Sequence, residues 1–314
     1  MANLKELSKS SQKVTGGHRL CAGCGAGIMM RQALIAAGDI PLVVTCATGC
    51  LEVATTIAPY SAWKVPFLHS AFENSAANAS GLESAYRSLK KQGKISKDIR
   101  FIAFGGDGGT YDIGLQALSG AMERGHRMLY ICYNNEAYMN TGIQRSGATP
   151  RGADTSTAPA GKAIAGKQQS KKDLTQIIAA HNIPYVAQTY IGNWNDFATK
   201  VQKALSIDGS SFINIFTPCR LGWAYPPEDT MILGRLAMET CIWPCYEIEN
   251  GVYTINAKPK EKKPVIDFLK PQGRFKHLLK PENAPIVQRI QEEADLKWEI
   301  LQRRAEIGLT KKPA

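Results

Sequence analysis

The sequence predicts an α/β fold in which helices cover both faces of a doubly wound, mainly parallel sheet. Three observations predict it: short, continuous, β-rich apolar runs, helix-like stretches between those runs, and a chain of 314 residues with 44% hydrophobic content. Apolar runs of this kind are typical of strands buried on both faces, and their alternation with helices is typical of parallel sheets. The composition excludes a disordered chain, and the length suits one large or two ordinary domains.

The predicted elements alternate along the first two thirds of the chain. Strands are expected at residues 41–45, 100–104, 127–132, 185–189 and 211–216. Helices are expected at residues 25–37, 75–90, 113–124, 172–181 and 195–205. Residues 146–172 are rich in Gly, Ala, Ser, Thr, Pro and Lys and lack a hydrophobic period, which predicts a long loop.

The C-terminal part of the chain has a different pattern. Residues 285–306 place apolar side chains at helical spacing, namely Ile286, Ile290, Ala294, Trp298 and Leu301. This spacing predicts an amphipathic helix. We therefore expect a cofactor-binding domain over residues 1–225 and a helical extension over residues 226–314 that packs on this domain or on a partner subunit.

Charge and terminal sequence limit the class of protein. The net charge is +11, from 38 Lys and Arg against 27 Asp and Glu, which permits several kinds of anionic partner without choosing among them. The first residues lack the apolar stretch of a secretory signal, and no run approaches the roughly 20 apolar residues that span a bilayer. We expect a cytoplasmic protein without a membrane partner. Its eight cysteines then indicate metal or redox chemistry rather than disulfides.

A glycine-rich turn follows the strand predicted at residues 100–104. Asp107 lies between glycines where this strand gives way to a helix, a place where backbone N–H groups can meet a phosphate. Asn135 follows the next predicted strand and thus belongs to the same edge of a parallel sheet. A carboxylate, an amide oxygen and a backbone carbonyl, with two phosphate oxygens and a water, would complete octahedral Mg²⁺. A lone Gly-Asp-Gly is usually only a turn, but the later Asn-Asn makes the pair resemble the thiamine diphosphate motif.

Cysteines form a second group of candidate ligands. Cys21 and Cys24 form a Cys-x-x-Cys pair, Cys46 and Cys50 follow, and Cys219 stands 169 positions after Cys50. Four thiolates suit Zn²⁺ or an iron–sulfur cluster. A zinc ribbon takes its ligands from two close knuckles, whereas these cysteines can converge only through the whole fold. A Cys-x-x-Cys alone is also typical of a thioredoxin-like redox pair, but the βαβ context of that motif is lacking.

The remaining cysteines have simpler interpretations. Cys132 falls within a predicted strand and is expected to be a buried small hydrophobe. Cys241 and Cys245 are spaced by one helical turn, which permits a metal site but favours core packing because nothing nearby resembles a further ligand. His69 has no partner visible in the sequence, so a structural role is favoured over that of a general base.

The sequence closely resembles the β subunit of the multi-subunit pyruvate:ferredoxin oxidoreductase (2-oxoacid:ferredoxin oxidoreductase) family. The resemblance lies in the Asp107 turn with Asn135, in the cysteine group, and in the segments His69-Ser-Ala-Phe-Glu-Asn74 and Gln272-Gly-Arg-Phe-Lys-His277. The resemblance runs from about residue 17 to residue 226 and resumes near residue 269. It is specific, because the thiamine diphosphate motif and the four-cysteine set occur together in the family's order. It implies the diphosphate-binding half of a thiamine enzyme.

The resemblance also implies roles for individual residues. The expected ligands of one four-iron four-sulfur (4Fe-4S) cluster are Cys21, Cys24, Cys50 and Cys219. Cys50 is favoured over Cys46, since the family's third ligand lies in an Ala-Thr-Gly-Cys turn. The expected Mg²⁺ ligands are Asp107, the side chain of Asn135 and the carbonyl of Ala137. The residues expected to bind thiamine diphosphate are Cys50, Gly106, Asp107, Gly108, Gly109, Asn135, Ala137 and Asn140. Asn140 would lie near the reactive end of the cofactor and is the catalytic candidate.

The same resemblance implies an enzyme that works in a complex. Thiamine diphosphate holds the electrons that decarboxylation of a 2-oxo acid leaves, so a nearby cluster indicates oxidation rather than carboligation. In the family these electrons pass to ferredoxin, usually through further clusters in another subunit. The glutamate that faces the aminopyrimidine ring belongs to a pyrimidine-binding domain in a different subunit. We therefore expect an obligate hetero-oligomer with a pyrimidine-domain subunit and a ferredoxin-like cluster subunit, and an inactive isolated chain.

Two positions favour oxalate over pyruvate as the small 2-oxo acid. Asn134 stands where pyruvate-type relatives are expected to carry an acidic residue, and Arg151 opens the long loop where an uncharged aromatic residue is expected. Both changes make the region more positive, which would favour a substrate with a second carboxylate. The favoured reaction is thus oxidation of oxalate to two CO₂ without coenzyme A, as in the oxalate oxidoreductases of the family. The alternative is pyruvate oxidation to acetyl-CoA, with neither residue involved in substrate choice.

Two other classes of function are less favoured. A non-redox thiamine enzyme such as a carboligase would use Asp107 and Asn135 but give no role to the four cysteines. A nucleic-acid-binding protein with a structural zinc site would use the basic C-terminal segment in salt-dependent binding. Phosphate contact alone does not need the Gly-Asp-Gly turn, so we expect no nucleic-acid partner.

Overall fold

The computed structural model describes residues 3–310. Its strands are β1 (Leu42–Ala47), β2 (Phe67–Ser70), β3 (Arg100–Gly106), β4 (Met128–Asn134), β5 (Tyr185–Tyr190), β6 (Ser211–Phe216), β7 (Cys245–Glu249) and β8 (Val252–Ala257). Its α-helices are α1 (Leu4–Leu7), α2 (Gly25–Ala36), α3 (Cys50–Val53), α4 (Ser75–Lys91), α5 (Leu115–Glu123), α6 (Leu174–Ala179), α7 (Trp194–Ser206), α8 (Arg220–Trp223), α9 (Thr230–Glu239), α10 (Val265–Leu269) and α11 (Ala284–Thr310). A π-helix covers Gly108–Ile113, and 3₁₀ turns cover Pro227–Asp229, Gly273–Leu279 and Pro281–Asn283.

The strands form one eight-stranded sheet in the order β2-β1-β3-β4-β6-β5-β7-β8. The first six strands in this order pair in parallel, whereas β7 and β8 pair antiparallel at one edge. The predicted doubly wound, mainly parallel α/β fold is therefore confirmed.

Apolar cores on both sides of the sheet explain why the central strands lack polar alternation. In β3, Ile102 and Phe104 join the core beneath α2 and α7, whereas Phe101 and Ala103 join the core beneath α4 and α5. All four side chains are buried. A strand covered in this way must be apolar at successive positions, which is the pattern that predicted it.

The sequence pattern missed three strands at the two edges of the sheet. The edge strand β2 is short, and its Leu68 and His69 side chains are exposed, so it has little apolar signal. Strands β7 and β8 are joined at Asn250 and Gly251, which have φ values of 49° and 81°. Two successive residues with positive φ are typical of a type I′ hairpin turn, and Asn-Gly is its usual sequence. This hairpin signal was therefore present in the sequence.

The chain after residue 225 packs closely on the sheet. Its α11 includes the predicted amphipathic helix, and Ile290 and Ala294 join a third core with Phe268 and Phe275. Residues 311–314 of the predicted extension lie outside the described residues. No helix within residues 3–310 is both long enough and apolar enough to cross a membrane.

The predicted long loop contains no regular helix or strand over residues 146–171, but much of it is buried. Ser146, Ala148, Thr149 and Lys167 are all buried beside the ends of β3 and β4. Because these side chains are enclosed, this part of the loop belongs to the wall around the candidate site, whereas residues 161–164 and 168–170 are exposed.

Candidate active site

The candidate site lies at the carboxyl ends of four neighbouring strands. Cys50 follows β1, Asp107 follows β3, Asn135 follows β4 and Cys219 follows β6. These four strands are adjacent in the sheet, so the residues that follow them meet at one edge. Ligand sites in open α/β sheets lie outside this edge.

One cavity at this edge gathers the residues predicted to bind thiamine diphosphate. We call it the Asp107 cavity, and it is lined by Thr48, Gly49, Cys50, Phe72, Gly106, Asp107, Gly108, Gly109, Tyr133, Asn135, Ala137, Tyr138, Met139, Asn140 and Thr141. All eight predicted cofactor-binding residues are in this set. Their convergence supports the predicted site without identifying what it binds.

Two glycines of the turn are needed for close packing around the cavity. A Cβ atom on Gly108 would lie 2.3 Å from the ring of Tyr138, whose hydroxyl donates to the Gly108 carbonyl at 2.9 Å. A Cβ atom on Gly109 would lie 2.9 Å from the carbonyl oxygen of Phe72. Larger residues would therefore push the turn away from its neighbours, which explains the Gly-Asp-Gly-Gly sequence.

The carboxylate of Asp107 is fully buried and held by two donors. The Ser146 hydroxyl donates to Oδ2 at 2.5 Å, and the Asn135 backbone N–H donates to Oδ1 at 3.2 Å. Burial raises the pKa of Asp107 to about 7 despite these hydrogen bonds, which act in the opposite direction. A bound cation would favour the ionised carboxylate in this buried position.

Oxygen atoms around Asp107 fit a magnesium ion. One terminal atom of the Asn135 amide lies 2.8 Å from Asp107 Oδ1 and 2.9 Å from the carbonyl oxygen of Ala137. When that atom is the amide nitrogen, it donates to the Asp107 and Ala137 oxygens. When the amide is rotated by 180°, its own oxygen faces those two oxygens instead. Neighbouring ligands of octahedral Mg²⁺ lie about 2.8–3.0 Å apart, because bonds of about 2.0–2.1 Å meet at right angles. The two separations match this spacing, and they equally match two N–H···O hydrogen bonds from the amide nitrogen.

A second cavity adjoins the first and gathers the four predicted cluster ligands. We call this space of about 540 Å³ the cysteine cavity, and Cys21, Cys24, Cys50 and Cys219 all line it. The two cavities share Cys50, Asn135, Met139 and Asn140. A group in one cavity would therefore lie next to a group in the other.

The four thiols influence one another electrostatically. Burial, followed by repulsion from Cys219, Cys24 and Cys21, raises the pKa of Cys50 to about 12. No three His, Cys, Asp or Glu side chains in the described part of the chain are close enough to share one metal ion. The four thiols of the described structure therefore line one cavity without forming a site for a single ion.

A buried hydroxyl in the cysteine cavity also fits a cluster. Thr217 lines this cavity and is 1% exposed, and its Oγ1 has no hydrogen-bond partner within residues 3–310. Buried polar atoms without partners are uncommon in folded proteins. A cluster sulfur could accept this hydrogen bond, which is one of the contacts that set cluster potentials.

Close backbone packing brings the Cys-x-x-Cys segment to Cys219. The Gly25 N–H donates to the Pro218 carbonyl at 3.3 Å. A Cβ atom on Gly25 would lie 2.7 Å from the Thr217 carbonyl carbon and 2.8 Å from the Pro218 carbonyl oxygen. These are backbone atoms that cannot move aside as a flexible side chain would. A glycine is therefore required immediately after Cys24.

Replacing Gly25 by Ala is expected to separate the two cysteine-bearing segments. The overpacked contact should lower the free energy of unfolding by about 1–3 kcal/mol and reduce the iron bound per chain. Iron analysis and urea unfolding of anaerobically purified complex would measure both. Gly81→Ala is the matched control, because Gly81 lies in α4 with no atom within 4 Å of an added Cβ, and it should raise stability by about 0.5–1 kcal/mol. Full iron content in Gly25→Ala would contradict the assignment.

The other cysteines line neither cavity. Cys46 and Cys132 are fully buried within β1 and β4. Cys241 follows α9 with a left-handed φ of 57°, and Cys245 begins β7. Both side chains are buried, as the favoured core-packing interpretation expects, and they do not share a helix because α9 ends at Glu239.

The structure adds site residues that the sequence did not indicate. Thr48 lines the Asp107 cavity, and its hydroxyl lies 2.6 Å from His69 Nε2. Glu52 Oε2 lies 3.3 Å from the same His69 nitrogen. His69 thus has two partners, which become visible only because β1 and β2 pair in register. The only sequence signal for Thr48 was its place in the Ala-Thr-Gly-Cys turn.

Asn134 and Arg151 do not line the candidate site, where the prediction of oxalate as substrate required them to be. Asn134 is fully buried, donates to the Tyr111 hydroxyl at 2.9 Å and accepts from the Glu136 N–H at 3.0 Å. Arg151 Nη2 lies 2.7 Å from Glu293 Oε1 on α11. Neither residue lines the Asp107 cavity or the cysteine cavity. The expected gain of positive potential beside a substrate is therefore absent, because a carboxylate neutralises Arg151 and neighbouring polar groups hold Asn134.

Replacing Arg151 by Met is expected to affect stability rather than substrate choice. Loss of its hydrogen bonds to Glu293 should lower the free energy of unfolding by about 1–2 kcal/mol, since the pair is only partly buried. The ratio of pyruvate to oxalate turnover should stay unchanged in a steady-state assay. A selective loss of oxalate turnover would restore the original expectation.

Comparison with known proteins gives the family. Residues 46–215 match the family described as thiamine pyrophosphate enzyme, C-terminal TPP binding domain. Pyruvate synthase subunit PorB of Thermotoga maritima is 52% identical over 308 residues, which cover 95% of each chain. The subunit of the same name from Methanocaldococcus jannaschii is 56% identical over 287 residues, which cover 91% of this chain and 95% of that one.

A solved structure supports the fold. The 2-oxoglutarate:ferredoxin oxidoreductase from Magnetococcus marinus, solved with 2-oxoglutarate, coenzyme A and succinyl-CoA bound, is 22% identical and has a TM-score of 0.55 over 66% of each chain. At this identity the likeness carries the fold alone. The family expectation from the two sequence motifs is confirmed by the close relatives and the domain match. The chain belongs to the β subunits of the 2-oxoacid:ferredoxin oxidoreductase family and contains that family's thiamine pyrophosphate-binding domain.

Proposed function

We propose that this chain is the β subunit of a pyruvate:ferredoxin oxidoreductase that binds thiamine diphosphate, Mg²⁺ and one 4Fe-4S cluster. The observation that carries the proposal is the pair of adjoining cavities, one around Asp107 and one around the four cysteines, that share Cys50, Asn135, Met139 and Asn140. A carboligase would need only the first cavity. Oxidation needs an electron acceptor beside the cofactor, which the second cavity would hold.

The proposed ligands are those that the family resemblance implies, and all of them line the Asp107 cavity. Asp107, the side chain of Asn135 and the carbonyl of Ala137 would bind Mg²⁺, which in turn would hold the diphosphate against Gly106, Gly108 and Gly109. Bound at these residues, Mg²⁺ would neutralise phosphate charge in a site whose own carboxylate is buried. When bound, thiamine diphosphate supplies a carbon nucleophile and an electron sink for decarboxylation of a 2-oxo acid.

Residues at the junction of the cavities would orient the reaction. Asn140 is exposed and lines both cavities, so its amide can face a substrate that enters from outside. Met139 also lines both cavities. Its sulfur packs closely on Gly222, so that a Cβ atom added to Gly222 would lie 2.2 Å from that sulfur. We propose Asn140 as the catalytic residue that hydrogen-bonds the reacting end, with Met139 excluding water between the cavities.

The proposed substrate differs from oxalate, which the residues at positions 134 and 151 favoured in the sequence. The relatives that are 52% and 56% identical over most of this chain are pyruvate synthase subunits. Arg151 is paired with Glu293, and neither Arg151 nor Asn134 lines either cavity. We therefore propose pyruvate as substrate, with coenzyme A as acetyl acceptor and ferredoxin as electron acceptor.

The proposal includes partner subunits. A pyrimidine-domain subunit would complete the active site, and a ferredoxin-like subunit would carry electrons away from the cluster. We also propose that residues 1–225 form the cofactor-binding part and residues 226–314 an extension packed on it. The positions of all predicted ligands before residue 225 support this division. The later segment contains α9, α10 and α11 and also β7 and β8, which extend the sheet from β5.

An assay of the native complex tests the function. The complex would be co-purified anaerobically, and viologen reduction measured with pyruvate, oxalate and 2-oxoisovalerate, with and without coenzyme A. Pyruvate is expected to give the highest kcat/KM, and its turnover should depend on coenzyme A. Faster turnover of oxalate without coenzyme A would overturn the substrate proposal. Absence of iron and acid-labile sulfide would instead favour a non-redox thiamine enzyme.

A further inference from the structure

A buried ion pair lies behind the proposed magnesium ligands. Arg274 Nη2 lies 2.6 Å from Glu136 Oε2, and the two side chains are 3% and 0% exposed. Glu136 stands between Asn135 and Ala137 in the chain and has a left-handed φ of 65°. This backbone conformation is costly for a residue other than glycine and persists only where the surroundings enforce it. The ion pair is therefore placed to hold the ligand-bearing loop in an unfavourable conformation.

The same arginine also contacts Trp223, whose backbone is hydrogen-bonded to Cys219 at the cysteine cavity. Its guanidinium carbon lies 3.8 Å from the centre of the Trp223 ring, a cation–π contact inside the protein. The indole N–H donates to the Asn135 carbonyl at 2.8 Å, and the Trp223 backbone N–H donates to the Cys219 carbonyl at 2.9 Å. One side chain thus contacts both the loop with the magnesium ligands and the helical turn that follows Cys219.

Charge alone does not explain why an arginine occupies this position. Lys171 Nζ lies 3.3 Å from Glu136 Oε1, so the carboxylate has a second cation from the long loop. An arginine adds a planar group that stacks on an indole while donating to a carboxylate, which a lysine cannot do. The segment that contains Arg274, residues 272–277, was conspicuous in the sequence, but the chemistry proposed above gives it no role.

We propose that Arg274 is a positioning residue that fixes both cofactor sites together, through Glu136 on one side and Trp223 on the other. This inference rests on the proposed function of the two cavities. The C-terminal extension would then contribute to cofactor geometry although it supplies no ligand. Three segments that are distant in sequence meet at the Glu136 carboxylate: the loop after β4, the long loop and the extension.

A double-mutant comparison in the assembled, anaerobically purified complex tests the proposal. Glu136→Gln leaves Arg274 and Lys171 without their shared carboxylate, so it should lower the midpoint of thermal unfolding more than Arg274→Met, which leaves Glu136 paired with Lys171. The double variant no longer buries an unpaired arginine and should regain part of the Glu136→Gln loss. The Mg²⁺-dependent Kd of thiamine diphosphate, measured by calorimetry, should rise by about 10-fold or more in all three. The electron paramagnetic resonance spectrum of the reduced cluster should change in both variants that lack Arg274.

Two further variants separate positioning from stability. Arg274→Lys keeps the charge but loses the stacking, so it should unfold at a higher midpoint than Arg274→Met and still bind thiamine diphosphate more weakly than the parent. Arg151→Met removes another ion pair between the long loop and the C-terminal segment, away from both cavities, and should leave the Kd and the spectrum unchanged. Recovery of cofactor affinity together with stability in the double variant would overturn the proposal. An unmodified complex without thiamine diphosphate binding or iron would instead refute the proposed function.

Discussion

Replacing Asp107 by Asn is expected to raise the Mg²⁺-dependent Kd of thiamine diphosphate by more than about 100-fold while the iron content stays unchanged. The substitution keeps the volume of a fully buried side chain and removes the only ionised oxygen among the three proposed ligands. Even outer contacts of metal sites are worth about 10- to 100-fold in affinity, so loss of a ligand charge should cost more. Calorimetry with thiamine diphosphate and Mg²⁺ and iron analysis of the same preparation would measure the two effects.

Asp112→Asn provides the control for this variant. Asp112 lies in the π-helix that follows Asp107, accepts from the Gly147 N–H at 2.8 Å and pairs with Lys172 at 2.7 Å, but it does not line the Asp107 cavity. Its replacement should alter stability without changing cofactor affinity. If Asp107→Asn lost iron and cofactor together, Asp107 would have a structural role rather than that of a magnesium ligand.

Replacing Cys219 by Ser is expected to abolish the cluster signal and lower viologen reduction by at least about 100-fold. Cys219 is the one proposed cluster ligand that follows β6, so no neighbouring cysteine can replace it. Serine keeps the shape of the side chain but binds iron less well than a thiolate, the ligand that holds such clusters. Electron paramagnetic resonance of the dithionite-reduced complex would show the loss.

Cys46→Ser separates cluster loss from a general effect of removing a buried thiol. Cys46 is fully buried within β1 and does not line the cysteine cavity. The hydroxyl should lower stability by about 1–3 kcal/mol through burial of a polar group, with iron content unchanged. The opposite pattern, with iron lost from Cys46→Ser and retained in Cys219→Ser, would reassign the ligand.

The central sheet and the meeting of the candidate ligands could be predicted from sequence for one physical reason. Strands buried on both faces have continuous apolar runs, and residues that follow parallel strands share one edge. That reasoning places Asp107 and Asn135 together, and family resemblance adds the cysteines. The same reasoning does not predict the edge strands, because their side chains partly face solvent and the apolar pattern is weaker.

The direction of single side chains could not be predicted in the same way. Arg151 lies in a long segment without hydrophobic period, so nothing in the sequence shows that it pairs with Glu293, which is 142 positions later. The contact between Glu136 and Arg274 spans 138 positions. Such contacts depend on how the C-terminal segment packs on the finished sheet, and they decide whether a charge faces a substrate or stabilises the fold.

The most direct test of the central claim is X-ray diffraction from crystals of the anaerobic complex, grown with thiamine diphosphate and Mg²⁺, with data collected at the iron absorption edge. We expect one compact iron signal in the cysteine cavity between Cys21, Cys24, Cys50 and Cys219, and the diphosphate with its magnesium ion against Asp107. Iron bound elsewhere, a zinc signal among these thiols, or a diphosphate remote from Asp107 would contradict the account.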